Sequence, residues 1–129
     1  MTSHELFALA SEPYVSLTTF RKSGDAVATP VWVAADGDRL LVTTAPTSSK
    51  VKRIRHTERV ELAACDMRGT IAEDAVPVSA TAAVRGDSET LDAMNVALKK
   101  KYGAKFTAIR LAQKARGNSG QSVAVELRA

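Results

Sequence analysis

The sequence has 129 residues, 45% of them apolar and 25% charged, with a formal net charge of +4 and a single cysteine. That length closes one hydrophobic core without staples and points to a single domain over residues 1–129, while one cysteine excludes an intrachain disulfide and suits a reducing compartment. No stretch approaches the roughly 18 apolar residues of a membrane span, and residues 1–10 lack the pattern of a signal peptide, so a soluble, cytoplasmic protein with no membrane partner is expected.

In chain order, "TSHELFALAS" reads as a short opening helix, with Thr2 and Glu5 spaced as a capping box and Leu6, Leu9 and Ala10 on one face. "YVSLTTFRK" then alternates, breaks at "SGD" and resumes as "AVATPVWVAAD", which a second break at "DGD" separates from "RLLVTTA". Two glycine-bearing three-residue turns between alternating runs predict a meander of antiparallel strands. "RVELAACD", "VPVSATAAVRG" and "QSVAVELR" bring the strand count to six. Between them the pattern predicts a basic helix from about Ser49 to His56 and a longer one from about Ser88 to Tyr102. The longer one has an apolar stripe of Leu91, Met94, Leu98 and Tyr102 and ends at Gly103. A weaker helical stretch, "KFTAIRLAQKARG", follows. The expected fold is mainly β with a few helices: six antiparallel strands, more easily closed into a small barrel than left as an open sheet.

The charge is concentrated. From Thr47 to Arg59 the net charge is +4, and from Lys99 to Arg116 it is +7 with no acid, so the remainder is acidic and the natural partner is an anion. The strand "RLLVTTA" runs out at Pro46, and the hydroxyls of "TSS" suit a helix start just before Lys50. A helix start presents backbone N–H groups and partial positive charge. Lys50 and Arg53 share a face there, while Val51 and Ile54 can anchor the helix. With Thr43, Thr44, Ser48 and Ser49 these residues form a candidate phosphate pocket; the plain alternative is a solvated basic helix. In "ATPVW", Pro30 removes a ladder donor, so the strand edge there can face a flat ligand lying against backbone and Trp32, or be an ordinary edge with Trp32 in the core. "TTAP", "LAAC" and "SATAA" line a sheet face with small residues, fit for a close-packed helix or a planar ring.

Taken together, T-P-V-W, the S-x-K-V-x-R-I-R run and D-x-R-G after the next strand resemble the split β-barrel proteins related to pyridoxamine 5′-phosphate oxidase, and within them the flavin and deazaflavin oxidoreductases described as coenzyme F420-dependent. The resemblance spans Leu6 to Leu127. It implies a six-stranded split barrel that forms a homodimer with a cofactor groove at the interface. It implies further that Pro30, Val31 and Trp32 border the ring, and that Thr43, Thr44, Ser48, Ser49, Lys50 and Arg53 take the phosphate end, with Lys52 off that face. Asp66, Arg68 and Gly69 match the D-x-R-G element, which the resemblance lets reach toward the partner's cofactor. Glu73 and Asp74 depart from the pattern of relatives, which often carry glycine there.

The implied activity is hydride transfer between reduced F420 and a small unsaturated or quinone-like acceptor, with FMN as the alternative cofactor. The acidic tail of F420 would suit the Lys99–Arg116 segment. Other readings are a non-catalytic carrier of a flavin, deazaflavin or haem-like ligand and, behind it, a nucleic-acid module, which fits poorly with 5% aromatic residues. No catalytic acid or base stands out. His4 and His56 do not make a metal cluster, and His56 suits a helix-dipole partner. Cys65 reads as a small buried residue and Tyr102 as core.

Overall fold

The computed structural model describes residues 2–115 and 122–129. The Thr2 and His4 side chains, those of Arg110 and Lys114, and Arg116 and Gln121 lie outside the described residues. Helix α1 (Thr2–Ala8) runs into a 3-10 turn at Leu9–Ser11 and buries Leu6 and Leu9 as its spacing predicts. Strands β1 (Val15–Phe20), β2 (Ala26–Val31), β3 (Ala34–Asp36) and β4 (Arg39–Thr44) follow, then α2 (Ser49–His56), β5 (Arg59–Ala64) and β6 (Val78–Arg85). The chain continues through α3 (Ser88–Tyr102), α4 (Ala104–Ala115) and β7 (Val123–Arg128).

The expectation of six strands is corrected to seven, in one antiparallel sheet of order β2-β1-β5-β6-β7-β4-β3 that hydrogen bonds do not close. The extra strand arises because the run Ala26–Asp36 breaks at Trp32 and Val33. The Val33 N–H donates to Tyr102 Oη at 3.2 Å, and its carbonyl accepts from Lys101 Nζ at 2.6 Å, so α3 side chains satisfy a backbone that a neighbouring strand would otherwise pair. Since β2 and β3 are the two edges of the sheet and only these two residues join them, the sheet must curl until its edges meet there. The result is a barrel split along one seam.

The turns also differ from a plain meander. Residues 21–25 make the first, closed by Arg21 N to Asp25 O at 2.9 Å. The second is only Gly37 and Asp38 between the paired Asp36 and Arg39, with Gly37 at φ 60°, a two-residue connection that needs a left-handed residue.

Strand alternation sorts side chains into two cores. Inside the curl, Val15, Leu17, Leu40, Val42, Leu62, Ala80, Ala82, Val125 and Leu127 pack with Leu6 of α1 and Ile54 of α2. Outside it, Ala34, Leu41 and Ala124 meet Met94, Leu98 and Phe106 of α3 and α4. The α3 stripe is as its period predicts: Met94 and Leu98 are buried, and Leu91 and Tyr102 pack beside them. Asp87 caps α3 by accepting from Thr90 N at 3.0 Å and Thr90 Oγ1 at 2.7 Å.

Candidate functional site

β4 ends at Thr44, and a turn from Ser48 N to Ala45 O at 3.1 Å delivers the chain to α2. Val51 and Ile54, both buried, fix the helix to the barrel and leave Lys50 and Arg53 on a neighbouring face. Arg53 Nε donates to Thr19 Oγ1 at 2.6 Å, and Thr19 is fully buried on β1, so this guanidinium is held by the sheet. Burial, and then the nearby Arg53, push the Lys50 ammonium below the ordinary lysine value. Burial, and then Arg21, push Arg53 down as well. The Ser48 hydroxyl sits 3.1 Å from Thr44 Oγ1 and does not cap the helix. The α2 start thus differs from that of α3, where a carboxylate of the chain fills the cap.

Carboxylates are distributed to match. Arg39, Arg59, Arg85 and Arg128 each meet an acid at 2.6 to 3.4 Å. Among the described residues, no such partner stands beside Lys50, Lys52, Arg53, Arg21 or Lys22. Clustered like charges cost energy, and these lack internal compensation, so the arrangement suits an external anion.

The ring-bordering candidates separate. Pro30 lies exposed on the edge strand β2, where a missing N–H is tolerated. Asp66 Oδ1 accepts from Arg68 N and Thr70 N, both at 2.9 Å, and folds the D-x-R-G element into a tight turn. Gly69 has φ +89°, and a Cβ there would stand 3.3 Å from Pro30 Cδ. The T-P-V-W and D-x-R-G segments therefore meet in one subunit, with Arg68 directly preceding the glycine that contacts the proline. Val31 is buried in the inner core. Trp32 stacks on Tyr102 with ring centroids 4.2 Å apart and planes 8° from parallel, so one of its faces is occupied within the chain.

Thr43 and Thr44 project to opposite faces of β4: Thr44 meets Ser48, while Thr43 lies across from Ala124 of the outer core. Thr19, which holds Arg53, is paired with Val27, and Pro30 is three residues further along β2, about 10 Å at the usual strand rise. The small residues are likewise divided, since Ala80 and Ala82 pack inward while Ala28, Ser79 and Thr81 face outward and exposed. Ser16, 2% exposed beside Pro30, has no partner for its hydroxyl among the described residues.

Sequence reasoning overlooked two groups of residues. Arg21, whose charge bears on Arg53, follows directly on β1, and the pair Arg21-Lys22 at a strand end was the available signal. In the sequence Lys101 reads only as part of a basic run, yet its ammonium also donates to Glu12 O at 2.6 Å. Tyr102, whose hydroxyl donates to Pro13 O at 2.9 Å and whose phenol is raised by burial, is committed to the seam and is no proton donor for a substrate. Cys65 is buried, and burial followed by Asp66 raises its thiol, as an inert core residue requires. Among the described residues, no three His, Cys, Asp or Glu gather as metal ligands, and no helix is long and apolar enough to cross a membrane.

A curled, seamed antiparallel sheet with a cationic helix start at its mouth defines a split β-barrel. Residues 2–129 match the family described as pyridoxamine 5′-phosphate oxidase, and the chain belongs to it. Its solved relatives are distant. The conserved hypothetical protein Rv2991 from Mycobacterium tuberculosis is 18% identical with a TM-score of 0.71, covering 98% of this chain and 79% of its own. A heme binding protein from Mycobacterium smegmatis is 17% identical with a TM-score of 0.65, covering 99% of this chain and 50% of its own. HutZ, a haem storage protein from Vibrio cholerae, is 12% identical with a TM-score of 0.68, covering 98% and 89%. No curated protein sequence matches the chain significantly.

Proposed function

We propose that the chain binds a phosphate-bearing tricyclic redox cofactor, coenzyme F420 or alternatively FMN, and catalyses hydride transfer between it and a small unsaturated or quinone-like acceptor. The observation that carries this reading is the uncapped α2 start, with a half-buried Lys50 and a sheet-anchored Arg53 that no carboxylate among the described residues neutralises. Lys50, Arg53, the Thr44–Ser48 hydroxyl pair and the Ser49 end of α2 would hold the phosphate. Pro30 and Arg68 would border the ring, with Val31 and Trp32 fixing that strand from behind. Thr43 belongs to the opposite face of its strand and is left as a support.

The bound cofactor would supply the hydride chemistry, while the chain orients the ring, supplies positive potential and excludes water. The outward face of β2 and β1 would be completed by a second copy of the chain, with the groove at the interface. Met67, Ile71 and Val76 on the neighbouring loop are 67%, 46% and 75% exposed, and such apolar exposure supports association there.

The test is fluorescence titration with F420 and with FMN, using native protein and a Lys50→Ala/Arg53→Ala double variant, with molecular mass in solution measured in parallel. Native protein should prefer F420, and the double variant should lose at least about 3 kcal/mol, since each charge-assisted contact contributes roughly 1.5 to 3 kcal/mol. Equal binding by both proteins would defeat the assignment.

The names of two fold relatives, a heme binding protein and a haem storage protein, favour a carrier as the second reading. Stoichiometric haemin uptake by a chain that binds neither F420 nor FMN would establish it in place of the first.

A further inference from the structure

The face of α2 turned away from Val51 and Ile54 carries Lys52, Arg53 and His56, at positions one and four apart. Between this face and the β1–β2 turn lies a cavity of about 270 Å³, lined by Arg21, Lys22, Lys52, Arg53 and His56 and, among the described residues, by no carboxylate. Lys50 is not part of it. Two of its members ride on fixed supports: Arg53 is bound to the fully buried Thr19, and the Arg21 backbone is fastened by Arg21 N to Asp25 O at 2.9 Å and Gly24 N to Arg21 O at 2.8 Å.

We infer that this cavity is a second anion site, adjoining the α2 start and sharing Arg53 with it, for a compact small molecule bearing two adjacent phosphates. The volume lies just below the usual range for small-ligand pockets, roughly 300 to 1,000 Å³, and so fits a compact ligand. Arg21, Lys22, Lys52 and Arg53 bring four permanent positive charges from two elements. One phosphate dianion would leave half of them uncompensated, whereas a diphosphate nearly balances the set and offers oxygens to both walls. His56 adds ring nitrogens at the rim, with Nδ1 3.3 Å from Thr57 Oγ1. The two readings share Arg53 and are told apart by Arg21, Lys22 and Lys52, which the cofactor reading does not use.

The experiment is calorimetric titration of the full chain with inorganic pyrophosphate at low ionic strength. Saturable binding of pyrophosphate is expected, with orthophosphate at least about tenfold weaker. Arg21→Ala and Lys52→Ala, both at exposed positions, should each weaken pyrophosphate by about tenfold or more, as loss of a charge-assisted contact does. Arg85→Ala, which removes the same charge elsewhere, should stay within about twofold. Absence of saturation would overturn the inference, and so would equal loss in Arg85→Ala. Tighter binding of a single-stranded oligonucleotide, with the two alanine variants unaffected for pyrophosphate, would also overturn it and assign the charge to nucleic acid. Since F420 affinity is read separately by fluorescence, and Arg21 and Lys52 take no part in holding the cofactor, either proposal can fail while the other survives.

Discussion

Gly69→Ala tests the contact that joins the two most characteristic segments of the sequence. The residue has φ +89°, and an added Cβ would lie 3.3 Å from Pro30 Cδ, too near for an undisturbed contact. Gly24 is the matched control: its φ is +93° and an added Cβ there meets nothing within 4 Å. Gly24→Ala should therefore show only the backbone cost of an L-residue in the left-handed region, about 1 to 2 kcal/mol. Gly69→Ala adds the displacement of the proline ring on its strand, about 1 kcal/mol at the low end of overpacking costs. For a chain of 129 residues, each kcal/mol lowers the melting temperature by about 4 °C, so the two variants should fall by about 4 to 8 °C and 8 to 12 °C. Differential scanning calorimetry measures both. Adding Pro30→Ala to Gly69→Ala should recover the excess as a coupling of about 1 kcal/mol, whereas adding it to Gly24→Ala should recover none. Equal melting temperatures for the two glycine variants, with no coupling to Pro30, would show that the D-x-R-G turn does not bear on the strand edge.

Two further outcomes concern the ionic framework of the barrel. Glu126, with a side chain 8% exposed, accepts from Arg39 Nη1 at 2.6 Å and Arg128 Nε at 3.2 Å. Burial alone would raise its carboxyl, but these arginine bonds prevail and hold it below the ordinary 4.5. Its contribution is complete above that value and declines as pH falls; Glu126→Gln should cost about 3 kcal/mol in urea unfolding at pH 7 and less in acid, and an equal cost at both would refute the pairing. The Asp87 carboxyl is lowered from 3.8 to about 2, chiefly by the Thr90 hydroxyl and then the Thr90 N–H. Stability is thus fully present above about pH 4 and lost as pH falls toward 2, and Asp87→Asn should flatten the pH dependence in that window. A carboxyl titration by NMR with a midpoint near 3.8 would show that the cap is not formed.

The α2 start was legible in the sequence because all its determinants are local: a strand ending in Thr44, a proline, capping hydroxyls and two cations three residues apart. The α3 stripe and its glycine stop were legible for the same reason. The seam was not, because alternation runs on unbroken through Trp32 and Val33. What breaks the strand is a lysine and a tyrosine 68 and 69 residues away, and no local pattern announces that side chains will take the place of a ladder. Strand count and closure went astray at that one point. The basic cavity eluded the sequence in a similar way, since Arg21 and Lys22 are unremarkable beside β1 until the fold sets them against Lys52 and Arg53.

These two unseen features share a cause that bears on the site. Tyr102 stacks on Trp32 and binds Val33, which sets where β2 stops and β3 begins. The register of β2 on β1 then puts Val27 opposite Thr19, so that Thr19, which holds Arg53, and Pro30 fall on one strand pair, about 10 Å apart along it and on opposite faces. A one-residue slip at the seam would turn Pro30 inward and Val31 outward, removing Pro30 from the Arg68 turn while leaving every residue of α2 where it was. The cationic helix start can therefore be written locally, but its relation to the strand edge is specified from α3. In this chain the candidate ring wall depends on Tyr102 as much as on the T-P-V-W segment itself.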